Sequence, residues 1–205
     1  MAFEDVGIFF DRDGTINTEL DFLREPDELV LIPGAARAIR EANALGVKVF
    51  VITNQSGVAR GFLTEDDLRK VHERLTELLA REGAFIDEIY YCPHHPTLGS
   101  PPYDIVCDCR KPKPGMLLRA RDKFDLDLSK SYVVGDRLVD MQTGNNAHSR
   151  SVLVLTGYGE REKDECLLKA EVDHVADNIG DAWEFIRRRL ERGEETESHA
   201  SARRR

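Results

Sequence analysis

Six short runs of apolar, largely β-branched residues recur along this chain, and segments with helical spacing fill most of the gaps between them. The runs are Val6 to Phe10, Val47 to Thr53, Ile86 to Tyr91, Ser131 to Val134, Val152 to Leu155 and a short His174-Val175-Ala176. Parallel strands need a crossover that packs a helix onto the sheet, so this alternation predicts an α/β fold. The expected form is a three-layer, Rossmann-like parallel sheet. Pro33 to Leu45 places Ala36, Ile39, Ala42 and Leu45 at helical spacing, with Gly46 as the stop. Thr64-Glu65-Asp66-Asp67 is a capping-box variant that opens a helix to about Arg81, with Leu68, Val71, Leu75 and Leu78 facing inward. Further helices are expected from about Pro114 to Phe124 and from Asp181 to Arg192. One domain over 1–193 accounts for the pattern, and the polar stretch 194–205 is expected to be a disordered tail.

Ligands of such sheets bind beyond the carboxyl ends of the strands. The polar residues fall there. Asp11 follows the first run, Thr53 ends the second, Cys92 follows the third and Gly135-Asp136 follows the fourth.

Composition narrows the partners. The 205 residues carry a net charge of −9 and a mean hydropathy of −0.43. That balance opposes non-specific binding to nucleic acid or anionic membrane, yet one local cluster of donors is enough for a small phosphorylated substrate. No window holds eighteen consecutive apolar residues, so no membrane span is expected. Met1 to Asp5 shows no basic region leading into an apolar stretch. A secretory signal is therefore not expected, and the chain is read as a cytoplasmic monomer.

Asp11-Arg12-Asp13-Gly14-Thr15 sets two carboxylates at i and i+2 directly after a buried strand, with Gly14 free to take a tight turn. Paired carboxylates of this kind hold Mg²⁺, or supply a nucleophile and a proton carrier. An acidic turn that merely caps the next element has the same short pattern. Arg110-Lys111-Pro112-Lys113-Pro114 offers cations that can neutralise a phosphate dianion beside an anionic Asp. Gly135-Asp136-Arg137-Leu138-Val139-Asp140 puts two further carboxylates on one face if a helix starts there.

Cys92-Pro93-His94 and Cys107-Asp108-Cys109 form a Cys-x-His and a Cys-x-Cys pair at the ends of a proline-rich loop, 92–109. Three thiolates and an imidazole complete a closed tetrahedral site, which points to structural Zn²⁺. His95 competes with His94 for the fourth position. Cys166 has no partner and is expected to be ordinary core or surface.

Phe9-Phe10-Asp11-Arg12-Asp13-Gly14-Thr15-Ile16, Val51-Ile52-Thr53-Asn54, Lys111 and Gly135-Asp136-x-x-x-Asp140 resemble, in order, the four motifs of the haloacid dehalogenase superfamily of phosphohydrolases. The resemblance implies that Asp11 is the nucleophile and Asp13 the general acid and base. It further implies that Thr53 and Lys111 serve the transferring phosphoryl group. Mg²⁺ would be held by Asp11, Asp13 (through its main-chain carbonyl) and Asp136, with Asp140 one layer behind. The superfamily often inserts a cap domain, but the spacings between these motifs leave no room for one. With the zinc loop and Asn54-Gln55-Ser56-Gly57-Val58-Ala59-Arg60-Gly61, the chain is similar to the branch of histidinol phosphatases and heptose bisphosphatases. Tyr90-Tyr91-Cys92-Pro93-His94-His95-Pro96, the long loop and Arg110 favour the heptose enzymes.

The implied reaction is removal of the C7 phosphate of D-glycero-D-manno-heptose 1,7-bisphosphate. Asn17, Glu19, Leu20, Asp21, Phe22, Asn54, Gln55, Ser56 and Arg110 would contact the sugar and its second phosphate. Histidinol-phosphate phosphatase is the alternative within the same chemistry. A non-catalytic zinc-stabilised binding protein is the alternative outside it, and the presence of all four charged motif residues argues against that. No Cys-x-x-Cys motif supports a redox role, Gly157-Tyr158-Gly159 lacks the third glycine of a dinucleotide site, and no P-loop is present.

Overall fold

The computed structural model describes residues 3–202. Six parallel strands form one sheet in the order β3-β2-β1-β4-β5-β6. They are β1 (Gly7–Phe10), β2 (Lys48–Asn54), β3 (Glu88–Cys92), β4 (Tyr132–Gly135), β5 (Arg150–Val154) and β6 (His174–Ala176). The helices between them are α1 (Ala35–Ala44), α2 (Glu65–Arg81), α3 (Gly115–Phe124), α4 (Leu138–Asn146), α5 (Gly159–Lys169) and α6 (Ile179–Ala202).

Strand side chains alternate between two faces, and both faces are apolar. Ile8, Phe10, Val49, Val51, Val134 and Val152 join a core with α1, α2 and α6, centred on residues such as Ile39, Leu75 and Trp183. Their neighbours Phe9, Phe50, Ile52 and Val133 turn to the other face and pack on Met116, Leu117 and Ala120 of α3. Phe9 pairs with Phe50 in the parallel register, and their rings stack with centroids 4.9 Å apart. Met141, Leu153 and Cys166 complete that second face, so the unpaired cysteine is core.

The Thr64 capping box forms as expected, with the Asp67 N–H donating to Thr64 Oγ1 and the Thr64 N–H donating to Asp67 Oδ2. Along α2 the buried stripe is Leu68, Val71, His72, Leu75 and Leu79. Leu78 is only half-buried, because the stripe steps four residues from Leu75 rather than three.

Two helices differ from the sequence expectation. α5 has no apolar period to signal it, and only Gly159 and Cys166 of its residues are buried. α6 does not stop at Arg192 but runs on to Ala202, so the backbone over 194–202 is helical rather than an irregular tail. Its Glu- and Ala-rich composition without proline is compatible with helix, and residues 203–205 lie outside the described residues. Among the described residues all strands belong to the one sheet, and no second sheet or cap interrupts it.

Trp183 is fully buried, and its indole N–H donates to Glu41 Oε2 across α1 and α6 at 2.8 Å. Trp183→Ala should cost about 3–5 kcal/mol of unfolding free energy. Urea denaturation followed by circular dichroism will show it as a lower midpoint with an unchanged native spectrum.

Candidate active site

The parallel arrangement brings the carboxyl ends of β1, β2, β4 and β5 to one edge, and the acidic residues gather there. Asp11 follows β1, with its N–H donating to Val134 O of β4 at 2.8 Å. Gly14 then takes a φ of +82°, and its N–H donates to Asn17 O, which folds Asp13 back toward β2. The Asp13 carboxylate accepts from Asn17 Nδ2 and Gln55 Nε2, each at 2.9 Å. Arg12 grips it as well, through Nη2 at 2.7 and 2.9 Å and Nε at 3.0 Å. Burial pushes the Asp13 carboxyl upward, but the Arg12 guanidinium and these hydrogen bonds hold it below the ordinary range.

Lys111 is 4% exposed, and its ammonium meets three acceptors: Asp11 Oδ1 at 2.7 Å, Asp140 Oδ1 at 2.6 Å and Ile52 O at 2.9 Å. Burial works against its charge, but the two carboxylates outweigh it and raise its pKa. Asn54 explains how the loop delivers this side chain. Its Oδ1 accepts from the Lys111 N–H at 3.0 Å and its Nδ2 donates to Lys111 O at 3.2 Å. Asn54, expected as a substrate contact, therefore lines the cavity but spends its amide on the Lys111 backbone.

Carboxylate oxygens of Asp11, Asp136 and Asp140 lie within 4.8 Å of one another. Both Asp140 oxygens are occupied, Oδ1 by Lys111 and Oδ2 by the Arg137 N–H at 3.0 Å. Asp136 differs. Its Oδ2 accepts from the Tyr158 N–H at 2.7 Å, while Oδ1 is buried with no hydrogen-bond partner. A buried anionic oxygen without a donor is costly unless a cation meets it. Burial, together with the repulsion between these acids, raises Asp136 to about 9 and Asp11 to about 7, even with Lys111 pulling down. An all-oxygen, electron-rich set of this kind suits a hard divalent cation.

A cavity of about 340 Å³ opens above this cluster, lined among others by Asp11, Asp13, Thr53, Ser56, Arg110 and Lys111. That volume is of the size small-molecule ligands fill. Glu19, Asp21, Phe22 and Gln55 line it as well. Two expected contacts do not. Asn17 is fully buried and faces Asp13, and Leu20 is 47% exposed beyond the cavity lining. Thr53 is also buried, its hydroxyl accepting from Gln55 Nε2 at 2.8 Å.

Arg60, Arg137 and Tyr158 line the cavity without having been assigned to it from sequence. Arg60 lies over the Phe22 ring at 5.6 Å, and Arg137 lies over Tyr158 at 4.7 Å and pairs with Glu162 at 2.9 Å. The Gly157-Tyr158-Gly159 turn after β5, rejected as a dinucleotide signal, was the available clue. It stands at a strand's carboxyl end, where it closes on Asp136.

The four residues of the 92–109 loop converge. Cys107 Sγ is 3.5 Å from Cys92 and 3.3 Å from Cys109, and His94 Nδ1 is 3.7 and 3.4 Å from Cys92 and Cys109. These are close to the edges of a tetrahedron with metal–sulfur bonds of about 2.3 Å, and far longer than a disulfide of about 2.05 Å. His95 is turned away, its Nδ1 accepting from the N–H groups of Thr97 and Leu98. The loop reaches the active site through Arg110, whose Nη1 donates to His94 O at 3.1 Å.

Known proteins share this architecture. Residues 108–182 match the model of a HAD-hydrolase-like family. The chain is 40% identical over 181 residues to the D-glycero-β-D-manno-heptose-1,7-bisphosphate 7-phosphatase of Pasteurella multocida, which covers 88% of this chain and 96% of that relative. The enzyme of the same name from Escherichia coli K12 is 46% identical over 158 residues, 77% of this chain and 83% of its own. The crystal structure of the D,D-heptose 1,7-bisphosphate phosphatase from B. bronchiseptica, complexed with magnesium and phosphate, superposes with a TM-score of 0.78 at 33% identity. It covers 90% of this chain and 99% of that one. The chain belongs to the haloacid dehalogenase-like phosphatases, in the branch of the heptose-bisphosphate enzymes. It is a phosphatase, and these relatives do not favour the histidinol-phosphate alternative.

The raised acids give a test of the cation site. Because Asp11 and Asp136 have pKa values of about 7 and about 9, the metal-free native state holds protons that the unfolded chain has released. Its stability therefore falls as pH rises from the ordinary carboxylate range through these values. A divalent cation competes with those protons for the same oxygens. Added Mg²⁺ should raise the melting temperature more at a pH of about 8.5 than at about 5.5, in calorimetry on protein with its thiol loop left intact. An equal rise at both values would place the cation elsewhere.

Proposed function

We propose that this phosphatase removes the C7 phosphate of D-glycero-β-D-manno-heptose 1,7-bisphosphate, using Asp11 as the nucleophile. The observation that carries the reading is the pairing of two features in one cavity. Asp11 sits at the base, held by Lys111, and Arg60, Arg110 and Arg137 line the same space. A substrate with a second phosphate answers those arginines. Histidinol phosphate presents an ammonium group there instead. The relatives' names supply the β anomer.

Lys111 holds Oδ1 of Asp11, which leaves Oδ2 to attack phosphorus in line with the sugar oxygen. The P–O bond to C7 breaks, and Asp13, which takes up a proton as the phosphate dianion approaches, gives it to the leaving oxygen. Water then attacks the aspartyl-phosphate, Asp13 takes the proton back, and inorganic phosphate leaves with Asp11 restored. Asp11, Asp136 and the Asp13 carbonyl would hold Mg²⁺, which would supply charge neutralisation for the transferring group. Thr53 and the nearby amides hold the phosphoryl oxygens. Asp140 keeps Lys111 in place. Cys92, His94, Cys107 and Cys109 would hold Zn²⁺ in a structural role, since four protein ligands would leave no open position. The retained C1 phosphate suits later nucleotidyl transfer, in a cytoplasmic route to activated heptose for lipopolysaccharide core or another surface glycan.

Phosphate release with Mg²⁺ should be fastest from the β anomer of the heptose bisphosphate, slower from the α anomer, and slowest from histidinol phosphate and fructose 1,6-bisphosphate. Asp11→Asn should lose at least about a thousandfold in kcat. A preference for histidinol phosphate would sink the substrate assignment while leaving the phosphatase chemistry intact.

Metal analysis of the purified protein should find one bound zinc per chain. Cys107→Ser should release it and raise KM for the bisphosphate through a loosened Arg110. Unchanged kinetics in zinc-free protein would detach the loop from substrate binding.

A further inference from the structure

Arg12 is 1% exposed and stands between the two carboxylates of the Asp-x-Asp motif without touching the cavity. Three of its contacts clamp Asp13. The remaining side of the guanidinium points to α2, where Nη1 lies 3.1 Å from His72 Nε2. A guanidinium has five donors and no acceptor, so this contact is a hydrogen bond only if Nε2 offers its lone pair. The His72 ring is then neutral, with its proton on Nδ1. A proton on Nε2 would face the guanidinium hydrogens directly. Burial and the Arg12 charge both favour the neutral ring and depress His72 to about 3. His72 is held from behind: it belongs to the buried stripe of α2, and its ring rests against Tyr91 at 5.6 Å between centroids.

Nothing in the phosphoryl-transfer chemistry uses an imidazole at this position. It sits below the site, beside a more open groove along α2, and contacts none of the reacting groups. Removing it would leave a buried Arg12 N–H without an acceptor, and the guanidinium would be free to tilt toward whatever acceptor it could reach. Because Arg12 grips Asp13 through three hydrogen bonds, such a tilt turns the Asp13 carboxylate with it. We propose that His72 is a positioning residue for the reaction: as a fixed neutral acceptor it orients Arg12, and through Arg12 it aims the Asp13 carboxylate at the leaving oxygen. This rests on the reading of Asp13 as the proton carrier.

The test uses two side chains of the same chemistry and different reach. Gln can place its carbonyl oxygen near the site of Nε2, whereas Asn falls about one bond short and leaves Arg12 unmet. Both are polar at a position that borders solvent, so neither creates an apolar void. Two substrates separate positioning from general damage. Heptose bisphosphate loses an alkoxide and needs a proton from Asp13 in the first step. p-Nitrophenyl phosphate loses a stabilised phenolate and needs little help.

In His72→Asn, kcat/KM should fall about tenfold for the sugar phosphate and about twofold or less for the aryl phosphate. His72→Gln should restore the sugar-phosphate value to within about threefold of the parent. Asp13→Asn, run in parallel, should show the same selectivity for the poor leaving group in exaggerated form. Equal losses on both substrates in His72→Asn, or no recovery in His72→Gln, would overturn the positioning role while Asp13→Asn still supports the acid–base reading. An Asp13→Asn variant insensitive to the leaving group would overturn that reading, and this inference with it.

Discussion

The Lys111 ammonium is the contact on which the rest of the site depends. It joins three separately built parts: Asp11 from the end of β1, the Ile52 carbonyl of β2 and Asp140 of α4. All three ammonium hydrogens are taken, and the side chain is almost wholly buried. Removing one member of a buried ion pair typically costs about 3–5 kcal/mol, because the partner charge stays behind. Here two carboxylates would stay behind. The same contact fixes the Asp11 carboxylate, since the lysine approaches one of its oxygens and leaves the other free of it.

Charge balance extends this reasoning. Asp11, Asp13, Asp136 and Asp140 cluster at one sheet edge, and Arg12 and Lys111 are the buried cations among them. Two negative charges remain uncompensated when all four acids are ionised. The charges are also unevenly paired. Arg12 answers Asp13, Lys111 is shared by Asp11 and Asp140, and Asp136 has only a backbone N–H. The orphaned Asp136 oxygen and the raised Asp136 and Asp11 pKa values are two views of one deficit. A divalent cation held by these carboxylates would remove it, and without one the acids must hold protons instead.

Much of the fold and part of the site could be read from sequence because strand and helix periodicities are local. Each apolar run became a strand, and the polar residue at its end reached the expected edge, which is why Asp11, Thr53 and Asp136 come together. What escaped depends on direction within loops and on contacts between distant segments. Asn17 and Leu20 were themselves expected as substrate contacts. One turned into the Asp13 shell and the other toward solvent, and spacing does not specify that choice. Asn54 is at the right strand end but its amide is spent on the Lys111 backbone, a contact 57 residues away. His72 drew no notice in the sequence, where the inward stripe of α2 was read as Leu68, Val71, Leu75 and Leu78. Its meaning comes only from Arg12, 60 residues earlier. α5 was missed for a different reason: it packs few residues, so no apolar period had to be written into it.

The approach of two glycine turns shows how closely such distant contacts are fitted. Gly14, in the turn after β1, and Gly157, in the turn after β5, both have positive φ, and both press on Asp136. A Cβ on Gly14 would come within 2.3 Å of Asp136 Oδ2, and one on Gly157 within 2.2 Å of the same atom. The two backbones also approach one another, and Thr156 Oγ1 donates to the Gly14 carbonyl across the gap. With any side chain at either position, the Asp136 carboxylate would have to shift. The placement of the Asp136 carboxylate therefore depends on the absence of atoms at two residues that carry no chemistry of their own. Glycine at these positions satisfies the backbone turn and the close packing at once, and the Tyr158 N–H that follows Gly157 is thereby delivered to Oδ2. That leaves Oδ1 as the oxygen of Asp136 without a hydrogen-bond donor, so the electrostatic deficit is created by backbone packing as much as by the acids themselves.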